Sequence, residues 1–366
     1  MKLICDGLDL SDAVMKVIKA TSQKTTNPVL EGIKLVAEDD TLTLSATDLE
    51  LSMEKSIKAE VFIDGETVVP GKFFAEYIKK LTNEQIELTC NERNMLEIKY
   101  TDSTGNIQAL SAEEFPTMKR LENAEYFEIT SKDLKSLITK SVFCVSTEDS
   151  RPILKGVLFE ISDKKIKAVA LDGYRLAMVN KDLINSSSNF TCIVPARSLN
   201  EISKLLEDSD TVIKVHVTKN YLMADVNDTK IITRLLEGDF INYKQILPTQ
   251  FTTEVTINKA QLEDALDRAS LLSRIDRNNL VKFDITDKLM MLSSKSDIGD
   301  IKENITVALT GNDLTIAFNV RYFNEALRVI NDEFIKLSFT VPSAPCILKS
   351  SETDEYVYLI LPVRVV

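Results

Sequence analysis

Apolar positions along this chain follow two spacings, and the switch between them recurs. "EGIKLVAEDDTLTLSATDLELSM", residues 31–53, alternates apolar and polar residues, breaks at Asp39-Asp40 and resumes the alternation. A period of two on either side of an acidic turn predicts a β-hairpin with one buried face. "KGVLFEISDKKIKAVALDGYRLAM" (155–178) repeats the pattern around Asp163-Lys164, and "LVKFDITDKLMMLSS" (280–294) is a weaker third copy around Asp287-Lys288. Ile33, Val157 and Val281 are spaced by 124 and 124; Leu35, Phe159 and Phe283 follow in step, as do Ala37, Ile161 and Ile285.

Helical spacing recurs with the hairpins. Ahead of each lies an amphipathic segment: "LSDAVMKVI" (10–18), "LKSLITKSV" (134–142) and "LEDALDRAS" (262–270). Leu10, Leu134 and Leu262 align, with Val14, Ile138 and Leu266 one turn on, so each helix has one apolar face. After each hairpin comes a second helix: "VVPGKFFAEYIKKL" (68–81), "IVPARSLNEISKLL" (193–206) and "AFNVRYFNEALRVI" (317–330). Pro70, Pro195 and Asn319 hold the same place, 125 and 124 residues apart. The first two copies close on "SAEEFPTMKRL" (111–121) and "LEGDFINYKQIL" (236–247), with Phe115 and Phe240 aligned. A period this long exceeds that of solenoid repeats, so whole domains are repeated. The expected architecture is α+β, two helices and many strands per copy, with domains at 1–125, 126–249 and 250–366.

Composition sets few further limits. Of 366 residues, 44% are hydrophobic and 27% charged, as in a soluble globular protein. No apolar run reaches the 18 or more residues of a membrane span, and "MKLICDGLDLSD" turns acidic too early for a signal sequence. The five cysteines are scattered without a CxxC, which suits reduced, structural thiols in a cytoplasmic protein.

Catalytic chemistry is hard to assemble. The one histidine, His216, lies in the alternating strand "VIKVHVTK", so neither a His-dependent triad nor a zinc site is expected. No phosphate-cradling glycine motif occurs. Asp48 and Asp172 occupy equivalent positions and could in principle share acid–base work, but in separate repeats each more naturally caps a strand turn. No cofactor, no metal and no catalytic residue is expected.

Charge is the one feature that cuts against the composition. The formal net charge is −12, yet basic residues recur at matched helical sites. Lys16, Lys140 and Arg268 lie on the first helices; Lys72, Arg197 and Arg321, then Lys79, Lys204 and Arg328, lie on the second. Residues seven apart share a helix face. Glu76, Glu201 and Glu325 follow four residues after the first cation of each second helix, the spacing of a solvated surface ion pair. Retention of the sign in three copies favours a shared basic surface. A domain of this size has a radius of gyration of about 14 Å and a width of roughly 35 Å. A ring of three leaves too small a hole for duplex DNA, which needs about 16–20 Å, whereas six domains from two chains leave roughly 35 Å.

The chain resembles the bacterial DNA polymerase III β subunits, the replicative sliding clamps, over its full length. The resemblance lies in "NPVLEGIKL", "TDLEL", "VVPGKFF", "RPILKGVLFE", "LDGYRLA", "GDFINYKQILP", "FNVRYF" and "YLILPVRVV", in that order. It implies three tandem clamp domains that dimerise head to tail into a six-domain ring around double-stranded DNA, with the helices lining the hole. It further implies a non-catalytic processivity factor, loaded by a clamp loader, that tethers the replicative polymerase and repair proteins. Their short peptides would enter a hydrophobic groove between the second and third domains. Carried over, the groove residues are Arg151, Leu154, Leu171, Gly173, Tyr174, Arg175, Leu176, Pro248, Asn319, Tyr322, Leu361, Pro362, Val363 and Arg364, with Pro342 and Ala344 from "TVPSAPCI". Lys24 joins the helix cations as a DNA contact. Leu171 stands where members often have threonine and Tyr174 where histidine is common; Val365-Val366 extend past the shared arginine. The competing reading is a three-domain cytosolic interaction scaffold that does not bind DNA.

Overall fold

A computed structural model describes the chain except for residues 24, 120, 276–278 and 365–366 and the side chains at 274 and 275. Two compact units result: Met1–Ser131 with Lys204–Leu235, and Lys132–Ser203 with Leu236–Val366. The second sequence repeat is therefore divided between them.

In the first unit, one antiparallel sheet runs in the order Glu60–Ile63, Lys2–Asp6, Gln85–Cys90, Met95–Tyr100, Ser103–Gln108. A larger one runs Glu125–Thr130, Val212–Val217, Tyr221–Val226, Thr229–Arg234, Leu51–Lys58, Thr41–Thr47, Gly32–Glu38, Gly65–Pro70. The expected hairpin is its last part, and Asp39 and Asp40 turn it with φ of 48° and 53°. Asp163 and Lys164 repeat that left-handed pair at 51° and 60°. Two consecutive positive-φ residues make the tight turn whose twist matches the strands.

The large sheet of the second unit runs Phe190–Pro195, Gly156–Ser162, Lys165–Leu171, Arg175–Asp182, Tyr356–Ile360, Cys346–Ser350, Phe334–Phe339, Thr253–Asn258, Ala308–Gly311. Its smaller sheet runs Gly299–Thr306, Leu289–Ser296, Leu280–Thr286, Leu314–Asn319.

Among the described residues, six α-helices lie where the periodicity places them: α1 (Gly7–Val17), α2 (Gly71–Ile78), α3 (Ser131–Thr139), α4 (Ala196–Leu205), α5 (Lys259–Ile275) and α6 (Val320–Leu327). Leu10, Val14, Leu134, Ile138, Leu262 and Leu266 are all buried, as one apolar face per helix requires. α3 stops before the expected end at 142. Ser141 Oγ donates to the Leu137 carbonyl at 2.7 Å, and Val142–Cys144 tightens into a 3₁₀ turn. A serine competing for a helical carbonyl favours such an exit. Cys5, Cys144, Cys192 and Cys346 are buried, Cys90 is half-buried, and all five are free.

Candidate partner-binding groove and cationic helices

In the second unit, the strands Arg175–Asp182 and Tyr356–Ile360 join sequence that belongs to different repeats. Across that joint runs an apolar row in strict register: Leu171 opposite Leu176, Leu176 opposite Leu359, and Leu359 opposite Ile347. Alternate residues of a strand share a face, so these four form one leucine-rich face, and all of them are buried. Leu154, Val169 and Tyr243 join the same buried cluster, and Leu236, Phe240, Leu247 and Phe251 pack against it. Tyr243 is anchored by its hydroxyl, which donates to the Glu160 carboxylate at 2.6 Å.

Exposed apolar side chains occur in the segments that carry the cluster and in those that follow them. Leu361 and Val363 are 38% and 41% exposed, and Tyr174 is 56% exposed. Ile241, Ile246 and Val341 are exposed as well. Isolated exposed aliphatics are ordinary, whereas several grouped together make this face a candidate docking surface. The chain end is held down here: Leu361 N–H donates to the Tyr174 carbonyl at 2.9 Å, and Val363 N–H to the Ala317 carbonyl at 2.8 Å.

Arg175 belongs to the opposite face, because it is the strand neighbour of Leu176. Its side chain is 6% exposed. Nε donates to Asp172 Oδ2 at 2.9 Å, one terminal nitrogen to the Phe143 carbonyl at 2.9 Å, and the other to Glu325 Oε2. The guanidinium lies 4.7 Å from the Tyr322 ring centre and 5.5 Å from that of Phe143. Burial alone would raise the Glu325 pKa, but hydrogen bonds from Arg321 and Arg175 outweigh it and hold the carboxyl below its usual range. Arg175 is thus a buried staple rather than an anchor on the leucine row.

Between the two faces, Asp172 Oδ1 accepts from the Tyr174 and Arg175 N–H groups at 2.9 and 3.1 Å. Gly173 turns the chain at φ +94°, a conformation L side chains resist. Asp48 does the same in the first unit, accepting from Glu50 and Leu51 N–H at 3.1 and 2.8 Å. Both carboxylates are turn caps. Tyr174 stacks on Tyr322, centroids 6.2 Å apart. Asn319 caps α6, accepting from Arg321 N–H at 3.1 Å.

The expected groove residues therefore divide. Leu154, Leu171 and Leu176 share the leucine row; Tyr174, Arg175, Asn319 and Tyr322 surround the turn and the start of α6; Leu361, Pro362, Val363 and Arg364 form the terminal strip. Pro248 is half-buried one residue after Leu247. Arg151 is exposed at the start of the 3₁₀ turn that carries Leu154, and Pro342 and Ala344 occupy the turn before Cys346–Ser350. The sequence reading missed Leu359, which lies opposite Leu176, Ile347, which lies opposite Leu359, and the carboxylate partners of Arg175. The apolar "YLIL" carried part of that signal; the pairing carried the rest.

The helix cations separate by position. Lys16 donates to Asp12 at 2.7 Å, Arg268 makes two bonds to Glu303 at 3.0 and 2.8 Å, and Lys140 Nζ lies 6.0 Å from the Tyr356 ring centre. On the second helices, Lys72, Lys79, Arg197, Lys204, Arg321 and Arg328 are all exposed. Arg321 Nε donates to Glu325 at 2.7 Å, the expected i,i+4 pair. Lys24 lies outside the described residues.

Three family models match in succession: the N-terminal domain of the DNA polymerase III beta subunit over residues 1–119, its central domain over 128–242 and its C-terminal domain over 244–364. The beta sliding clamp of Staphylococcus epidermidis is 33% identical over 357 residues, covering 95% of each chain. The chain belongs to the DNA polymerase III beta subunit family, the bacterial sliding clamps. The clamp of Bacillus subtilis is 32% identical and is covered in full. A crystal structure of the DNA polymerase sliding clamp from Bacillus subtilis superposes on this clamp with a TM-score of 0.97 at 31% identity, covering 100% of both chains. Three clamp domains in tandem, helices on sheets, are thus the architecture of this clamp, and its role is that of a replication processivity factor.

Proposed function

We propose that this clamp acts, without catalysis of its own, as a cytoplasmic head-to-tail homodimer of domains 1–125, 126–249 and 250–366. The six domains encircle double-stranded DNA without sequence preference. The observation that carries this reading is the threefold recurrence of exposed cations on α2, α4 and α6 in a chain of net charge −12. Encirclement reconciles the two, since a trapped ring needs only weak, sliding phosphate contacts. Partners (the replicative polymerase, the clamp loader and repair proteins) dock short apolar peptides at the exposed apolar edge of the leucine row in the second unit. Aliphatic walls with a few polar anchors suit such a ligand.

The test is primer extension by the cognate polymerase and loader on a closed circular template. The wild-type clamp lengthens the products made in a single binding event. Changing Lys72, Arg197 and Arg321 together to alanine shortens them while the protein remains dimeric by sedimentation. Unaltered products from the triple variant would return the chain to the scaffold reading. Negative-stain images of the wild-type protein test the ring directly, by a six-lobed annulus with an open centre.

A further inference from the structure

The first unit contains a joint built like the one that carries the groove. Thr47 lies opposite Ser52, Ser52 opposite Ile232, and Ile232 opposite Met223. This is the register of Leu171, Leu176, Leu359 and Ile347, and Thr47 and Ser52 each precede their counterpart by 124 residues. The cover corresponds as well: the residues following Phe115 lie over the first row as those following Phe240 lie over the second. A small cavity remains between row and cover, lined by Thr47, Glu50, Ser52, Met118, Lys119 and Ile232 among others.

Its floor is polar where the other is leucine. Thr47 Oγ1 and Ser52 Oγ are 2.7 Å apart, and Thr47 Oγ1 also accepts the Leu49 N–H at 3.0 Å. Two hydroxyls carry two protons and their mutual bond uses one, so one O–H donor remains to spend on a ligand. Thr47 is 3% exposed and Ser52 half-buried, so whichever hydroxyl keeps the spare proton sits on a shielded floor. Glu50 adds a carboxylate acceptor and Lys119 an ammonium donor at the mouth. A primary amide complements this set: its carbonyl accepts from the hydroxyl or the ammonium, and its NH₂ donates to the carboxylate. An aliphatic side chain would leave those groups desolvated without a partner.

We propose that this joint is a second docking pocket, which takes the amide side chain of a glutamine or asparagine from an extended partner segment. The comparison between the two joints rests on the groove reading above, whereas the pocket's own chemistry does not. The test uses the intact clamp labelled at its Ile, Leu and Met methyl groups, with the N-methylamides of N-acetylglutamine and N-acetylleucine as probes, so that only the glutamine probe carries a primary amide. The glutamine probe is expected to shift the Ile232 and Met118 methyls saturably, and the leucine probe those of Leu176 and Leu359. Thr47→Val, which keeps the shape and removes one hydroxyl, should weaken the glutamine response by up to about tenfold, one neutral hydrogen bond. If neither Ile232 nor Met118 moves with the glutamine probe, or if both probes move them equally, the pocket is overturned. A leucine probe that fails at Leu176 and Leu359 while the glutamine probe succeeds at Ile232 strikes the groove reading and leaves the pocket standing.

Discussion

The Arg175 guanidinium donates to the Glu325 carboxylate 150 positions further along the chain, and the rings of Phe143 and Tyr322 enclose it. With Asp172 and the Phe143 carbonyl, it binds the turn at Gly173 to the first turns of α6. The exposed Tyr174 and the terminal strip at Leu361 are both held by that turn. The edge of the proposed groove therefore depends on a charge hidden behind it.

Arg175→Ala leaves the Glu325 and Asp172 carboxylates without their buried cation. The expected loss is about 3 kcal/mol, the cost of breaking rather than replacing a buried pair. Urea unfolding followed by circular dichroism reads it as a lower midpoint. Arg175→Lys recovers only part, because one ammonium cannot supply the planar fork.

The same network makes stability depend on pH. Glu325 is held below its usual 4.5 by Arg321 and Arg175 against the opposing effect of burial. A depressed carboxylate contributes stability in full above its unfolded value, and that contribution is lost as pH falls through the folded one. Glu325→Gln should therefore destabilise the protein at pH 7, and the gap from wild type should close as unfolding is repeated at progressively lower pH. A gap that stays constant below pH 4 would contradict the assignment.

Leu361 and Leu176 separate binding from folding. Leu361 is partly exposed, so Leu361→Ala should weaken a leucine-containing partner peptide by about 1–3 kcal/mol with the melting temperature unchanged. Leu176 is 1% exposed, and Leu176→Ala should also destabilise the fold by about 2–5 kcal/mol. Isothermal titration beside a thermal melt distinguishes the two patterns.

Cations at different helical sites should differ in effect. Lys16 and Arg268 are committed to Asp12 and Glu303, so replacing them with alanine should change processive synthesis little. Lys79→Ala with Arg328→Ala, on exposed second-helix positions, should shorten products and flatten the dependence of DNA association on salt. Equal losses from both pairs would refute the distinction.

Much of this was legible in one dimension. The hairpins at Asp39-Asp40 and Asp163-Lys164 announce themselves by a period of two around a tight turn, and α1, α3 and α5 by a buried stripe. These are local signals, repeated about every 124 residues, and repetition made them secure. The turn-capping roles of Asp48 and Asp172 were equally readable, because a carboxylate that bonds the N–H groups two and three residues on needs no distant partner.

The sequence by itself thus determined three copies of one α+β unit, their buried faces and the recurrence of their cations. Only the tertiary structure decided what each face meets. Alternation states that Leu176 is buried but not that Leu359 lies opposite it, since pairing between distant strands leaves no periodic trace in either. Composition likewise treats Arg175 as one more surface cation. Its burial follows from Glu325, Phe143 and Tyr322 converging from remote segments, and a charge can leave water only where such partners have already been assembled.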